Sequence, residues 1–134
     1  MTRLKVLLWV VGISQIVLGA LTLFAPTFFF ETMGLSAPPA DNTYMLGMLG
    51  ARFLAYGLGM FWLACQAVPD LFWIRNMILI QLIDLGAGAF YLATGVIGLS
   101  VAAFPMFNAT VLAVLLYLWS NPDGQRTQAA HSGT

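Results

Sequence analysis

One cysteine and one histidine are all that 134 residues supply of the side chains most used for metals and redox work. A lone Cys65 excludes an internal disulfide, a paired-thiol redox centre and a thiolate metal cage. A lone His131, set in a polar C-terminal tail, excludes a haem or di-metal site built from intramembrane histidines. Charge is equally scarce, at 7% of residues, with 5 basic and 5 acidic side chains that cancel. Without a basic tract there is no electrostatic footprint for a nucleic acid and no polybasic lipid patch. No nucleophile–base constellation is present either, so the chain reads as a non-enzyme with no cofactor and no metal.

What fills the sequence instead is apolar: 60% hydrophobic residues and a mean hydropathy of +0.89. That composition belongs to integral membrane proteins. A spanning helix needs about 20 mostly apolar residues, and the chain offers such windows at residues 6–25, 44–68, 73–97 and, shorter, 103–120. Pro26 and Pro69 close the first two, and the turn sequence "NPDG" closes the last. The predicted fold is an all-α polytopic bundle of four transmembrane helices, one domain over residues 1–120 with a polar tail at 121–134. The first run is too long for a signal-peptide core, and Pro26 stands where a cleavage site would be. It reads as a retained helix.

Orientation follows from the basic residues, which stay on the cytoplasmic side of helix ends. Arg3, Lys5, Arg75 and Arg126 fall on one side of a four-span topology, while the opposite loops, 26–43 and 98–102, contain no Lys or Arg. Trp9, Trp62, Trp73 and Trp119 cluster at the same ends, where indoles prefer the headgroup level. Both termini are therefore expected in the cytoplasm, with the chain in the inner membrane. The longer outer loop, "PTFFFETMGLSAPPADN", fits either a short interfacial helix with Phe28 to Phe30 dipping inward or an ordinary aromatic belt.

Inside lipid, helices associate through small residues and a few interhelical hydrogen bonds. Gly47, Ala51, Ala55 and Gly59 form a small-xxx-small stripe on the second span. Gly12, Gln15, Gly19 and Thr22 share a face of the first, and Gln81, Asp84, Gly88, Tyr91 and Gly95 a face of the third. Arg52 and Asp84 stand out as charges within spans. Counted from the outer ends at 1.5 Å per residue, their expected depths are roughly 12 and 20 Å, within reach of an extended arginine. An Arg52–Asp84 ion pair, direct or bridged by Gln15 or water, is predicted at the heart of a polar seam. Gln81 lies one turn further in, and Asn108, in the outer part of the fourth span, completes it. The plain alternative is that these groups are structural glue that fixes helix register. The six internal methionines have no metal-site spacing, and the "NAT" sequon at Asn108 lies within a span.

The first span ends in "GALTLFAPTFFFETMGL" and the second carries "LGARFLAYGLG", an arginine followed by small residues. In these stretches the chain resembles the small four-helix bacterial membrane proteins grouped as DoxX-like or DUF4345. The resemblance covers the first half of the chain, and the acidic "QLIDLGAG" of the third span departs from it. It implies the four-helix fold and carries no assigned activity.

Three functional readings are open at this point. The first is an accessory or assembly subunit that packs against other membrane chains or a homo-oligomer, with Gly50, Gly57 and Gly86, off the named stripes, as additional close-packing surface. The second is a proton-coupled transporter using Asp84, against which the halves show no inverted repeat. The third is a binding protein for a lipid, quinone or other hydrophobic small molecule, with Arg52 at its polar head.

Overall fold

The computed structural model describes residues 2–120. Its helices are α1 Thr2–Phe24, α2 Pro26–Thr32, α3 Asn42–Cys65, α4 Leu71–Ala93 and α5 Leu99–Trp119. All but α2 are long and apolar enough to cross a membrane, and no strand occurs among the described residues. The polar tail expected from residue 121, with Arg126 and His131, lies outside them.

Several helix ends have a local cause, and the observed boundaries differ from the expected ones by one to four residues. Pro26 bars Ala25 from the right-handed helical region, so Ala25 breaks the chain at φ −140°, ψ 55°. Pro26 then opens α2 at a position where a missing N–H costs nothing. The stretch containing the three phenylalanines is thus helical. At the end of α2, Gly34 takes φ +81°, Leu35 N–H reaches back to Phe30 O at 2.8 Å and Gly34 N–H to Glu31 O at 3.0 Å. That is a Schellman cap, and it needs glycine at the left-handed position.

The third span starts earlier than expected because Asp70 caps it, its carboxylate accepting from Phe72 N–H at 2.9 Å. Its far end repeats the α2 device. Gly95 sits at φ +77°, with Val96 N–H on Tyr91 O at 3.0 Å and Gly95 N–H on Leu92 O at 3.2 Å. Gly95, expected on a helix-packing face, is therefore a helix terminator; α4 stops at Ala93 rather than at residue 97. The last span begins four residues earlier than expected, at Leu99 behind Gly98, and carries Pro105 inside it, not near its start. The loss of one backbone donor there is tolerated in membrane helices. Asn108 consequently lies near the middle of α5, not in its outer part.

Packing divides the chain into two compact units, residues 8–65 and residues 1–7 with 66 onward. In the first, α1 and α3 run antiparallel in backbone contact. A methyl group on Gly19 would lie 2.9 Å from Gly50 O, and one on Gly50 2.9 Å from Gly19 O. Seven residues along each helix, a methyl on Gly57 would sit 3.0 Å from Gly12 O, and one on Gly12 would overlap the Phe61 ring. Trp9 stacks on Phe61 with ring centroids 4.7 Å apart. The expectation that Gly50 and Gly57 leave surface free for a partner is thus corrected: they are the α1–α3 contact. In the other unit α4 packs along α5. Ile74, Met77 and Gln81 are buried on α4 and Ala102, Ala109, Leu112, Ala113 and Leu116 on α5.

Hydroxyls within the helices are satisfied by the preceding turn. Ser14 donates to Val11 O at 2.8 Å, Thr22 to Leu18 O at 2.6 Å and Thr110 to Met106 O at 2.8 Å. This is the economical solution where water is absent.

The glycine contact makes a sharp prediction. Gly19→Val and Gly50→Val should each lower stability in detergent by about 1–3 kcal/mol through overpacking. Gly59→Ala and Gly86→Ala, where an added methyl meets nothing within 4 Å, should be neutral or stabilising by up to about 1 kcal/mol from helix propensity. Thermal unfolding of the four purified variants checks both halves.

Candidate functional site

Apart from serine and threonine, whose hydroxyls bond to their own helices, the polar side chains expected to form the seam fall into three groups by exposure. Gln15 and Gln81 are buried, at 5% and 4% exposure, Asn108 is half-buried, and Arg52 and Asp84 are exposed.

Arg52 owes its place to the glycine contact. At about 100° per residue, Gly50, Leu54, Gly57 and Phe61 form the face of α3 that meets α1, and Arg52 lies on the opposite side. The helix therefore turns Arg52 away from α1, which carries Gln15, and a bridge through Gln15 does not form. Met48, Ala51 and Ala55 share the outward side and are exposed, and Gly59 stands in open space. Of the two glycines in the small-residue stripe, Gly47 comes near α1, an added methyl lying 3.5 Å from Leu23 Cδ1, whereas at Gly59 an added methyl meets nothing within 4 Å.

Asp84 belongs to a ladder on α4 that alternates three- and four-residue steps: Ile74, Met77, Gln81, Asp84, Gly88. The first three are buried, and Gly88 is closed by α5, where an added methyl would meet Met106 Cγ at 2.9 Å. Asp84 is the one exposed member of this ladder. Gln81 Nε2 donates to Met77 Sδ at 3.6 Å, a weak bond for a buried amide. Gln15 makes no side-chain hydrogen bond among the described residues.

Four of these residues lie at similar distances from the ends of their own helices. Gln15 lies nine residues before the end of α1, Arg52 ten after the start of α3, Asp84 nine before the end of α4 and Asn108 nine after the start of α5. At 1.5 Å per residue each is about 14–15 Å from the end of its helix. From the observed ends Arg52 and Asp84 lie about 15 and 14 Å along their own helices, where depths of about 12 and 20 Å were expected. Gln81 lies about 18 Å in.

The residues missed from sequence were Gly50 and Gly57. Their signal was the seven-residue spacing shared with Gly12 and Gly19, which matches a straight antiparallel crossing better than the four-residue stripe does. Among the described residues no cluster of three or more His, Cys, Asp or Glu side chains is arranged to hold a metal ion. Cys65 is exposed.

No family model, curated protein or solved structure matches this chain.

The bare amide of Gln15 is testable. A buried donor and acceptor without partners cost more than the apolar groups that could replace them. Gln15→Leu is therefore expected to leave stability unchanged or raise it by up to about 1 kcal/mol. A loss of that size in thermal unfolding would show instead that Gln15 holds a bound water or ligand.

Proposed function

We propose that this chain is a non-enzymatic integral protein of the inner membrane, an accessory or assembly subunit that packs against other membrane chains through the outward side of α3. The observation that carries the reading is Arg52: a guanidinium in the middle of a spanning helix, exposed, with Ala51, Ala55 and Gly59 around it. Left in lipid, such a charge costs about 2.5–3.5 kcal/mol on insertion scales. Small neighbours let another helix approach closely enough to cover it. Asp84, nine residues before the end of α4 and also exposed, is a second charge within a long apolar helix that a partner chain would cover.

In this reading both termini face the cytoplasm. Arg3 and Lys5 stand at the start of α1 and Arg75 in the second turn of α4, while the segments between α1 and α3 and between α4 and α5 hold no Lys or Arg. All four indoles are exposed, as headgroup anchors must be.

Two measurements test this. Native mass spectrometry after gentle extraction should find the chain bound to at least one further polypeptide. Gly59→Leu, which adds bulk only to open space, should abolish that complex while the unfolding midpoint stays within a few degrees of wild type. A wild-type monomer, or a Gly59→Leu variant that keeps its complex, contradicts the proposal.

A further inference from the structure

Resting on that reading, we infer that the partner docked on α3 is a different membrane protein, one that brings an aspartate or glutamate from within its own spanning helix to the Arg52 guanidinium. The case needs only the unit built on α1 and α3. Residues 8–65 contain two acids, Glu31 and Asp41. Both precede α3, and the nearer, Asp41, stands eleven residues before Arg52, about 16 Å along a helix. Neither α1 nor α3 carries an acid, so these two spans hold no counter-ion for the charge that α3 turns outward.

The bilayer does not supply one either. Arg52 is ten residues from Asn42 and thirteen from Cys65, the two ends of α3, or about 15 and 20 Å. A helix of 24 residues is about 36 Å long, about 6 Å more than the hydrocarbon core. Centred on that core, Arg52 lies about 12 Å inside the nearer boundary. An arginine side chain extends over little more than half of that distance, so its head stays among acyl chains, short of the lipid phosphates. A second copy meeting α3 with α3 would set guanidinium against guanidinium, since a residue near a two-fold axis meets its own copy. A carboxylate on another chain's helix meets the requirement directly, as a close, hydrogen-bonded pair.

The surface beside Arg52 says what that helix looks like. At about 100° per residue, Met48, Arg52, Ala55 and Gly59 follow one another on a single face of α3. Ala55 is exposed, and an added methyl on Gly59 meets nothing within 4 Å. Backbones therefore approach most closely there, on the Cys65 side of the charge. Met45 and Met48, exposed on the Asn42 side, are flexible side chains that shape themselves to what covers them. The partner helix crosses at Ala55 and Gly59 through small residues of its own, with its acid one turn from the crossing.

Charge exchange with the identified partner tests the inference. The tagged chain is extracted gently and the polypeptide recovered with it is sequenced by mass spectrometry; it should hold an Asp or Glu within an apolar run of about 20 residues. Arg52→Leu, which puts a lipid-compatible side chain at an exposed position, should accumulate in the membrane as well as wild type. It should nevertheless recover the partner at about one-tenth of the wild-type yield or less. Arg52→Glu should lose the partner equally, and replacing the partner's acid by arginine should restore the Arg52→Glu complex to near wild-type yield. A partner with no acid in any span, or one that binds Arg52→Leu at wild-type yield while Gly59→Leu loses it, overturns the inference and leaves the docking surface standing. A second copy recovered as the partner does the same. Loss of a bound anionic lipid, and of no polypeptide, on Arg52→Leu assigns the charge to a headgroup and also overturns the inference. A bare wild-type monomer removes the docking reading as well.

Discussion

Two glycine pairs, Gly12 with Gly57 and Gly19 with Gly50, decide more about this protein than any of its charges. Lipid tails are as apolar as leucine, so spanning helices gain little by simply hiding hydrophobic surface from one another. What holds α1 to α3 is backbone approach, close enough that a single methyl group would reach within 2.9 Å of the facing carbonyl. That contact also fixes the rotation of α3 about its axis. With Gly50 turned inward, Arg52, two residues on, can only face away. The polar chemistry of α3 is thus set by the packing of its opposite side, and a change at Gly50 would move Arg52 without touching it.

The second constraint is that every backbone group in a spanning segment must find a partner within the protein. The chain meets it by ending its helices abruptly. Pro26 stops α1 in a single residue, Asp70 caps α4 with its own carboxylate, and two Schellman turns close α2 and α4 on glycines at positive φ. In each turn an apolar residue, Leu35 or Val96, follows the glycine and stands at the position that often packs back on the helix. Short, defined ends have a consequence for the interior: the distance of a mid-helix residue from the end of its span is fixed to within a turn.

Hydropathy alone located the four helices that are long and apolar enough to cross a membrane. It did not locate their ends. Those depend on single residues whose role is local: Asp70 as a cap, Gly95 as a terminator, Gly98 as the start of α5. Gly95 was read as part of a face because it continues the three- and four-residue ladder of α4 in sequence, although the backbone has left the helix by Thr94. The packing face of α3 was misread for a related reason. A four-residue repeat drifts about 40° per step around a helix with 3.6 residues per turn, so Gly47 begins near α1 and Gly59 ends opposite it. The seven-residue pair Gly50 and Gly57 drifts only about 20° and stays on one side. The candidate polar residues themselves were legible at once, since any charge or amide in such a chain is conspicuous; which of them are buried was not, because that depends on the rotation of each helix.

Correct helix ends also change the meaning of the polar residues. With the expected boundaries, Arg52 and Asp84 stood about 8 Å apart in depth and their pairing required a stretched arginine. With the observed ends, Gln15, Arg52, Asp84 and Asn108 each lie nine or ten residues from the end of their own helix. The middle of a span is where a bilayer penalises polarity most, and polar groups placed there without a role would be driven toward the headgroups, where Lys and Arg can extend to water. Each of the four long helices puts a polar side chain at a similar distance from its own end, and two of these, Arg52 and Asp84, are of opposite charge. Since the glycine contact turns Arg52 outward from α1, its interaction belongs to the side of α3 that the packing with α1 leaves open.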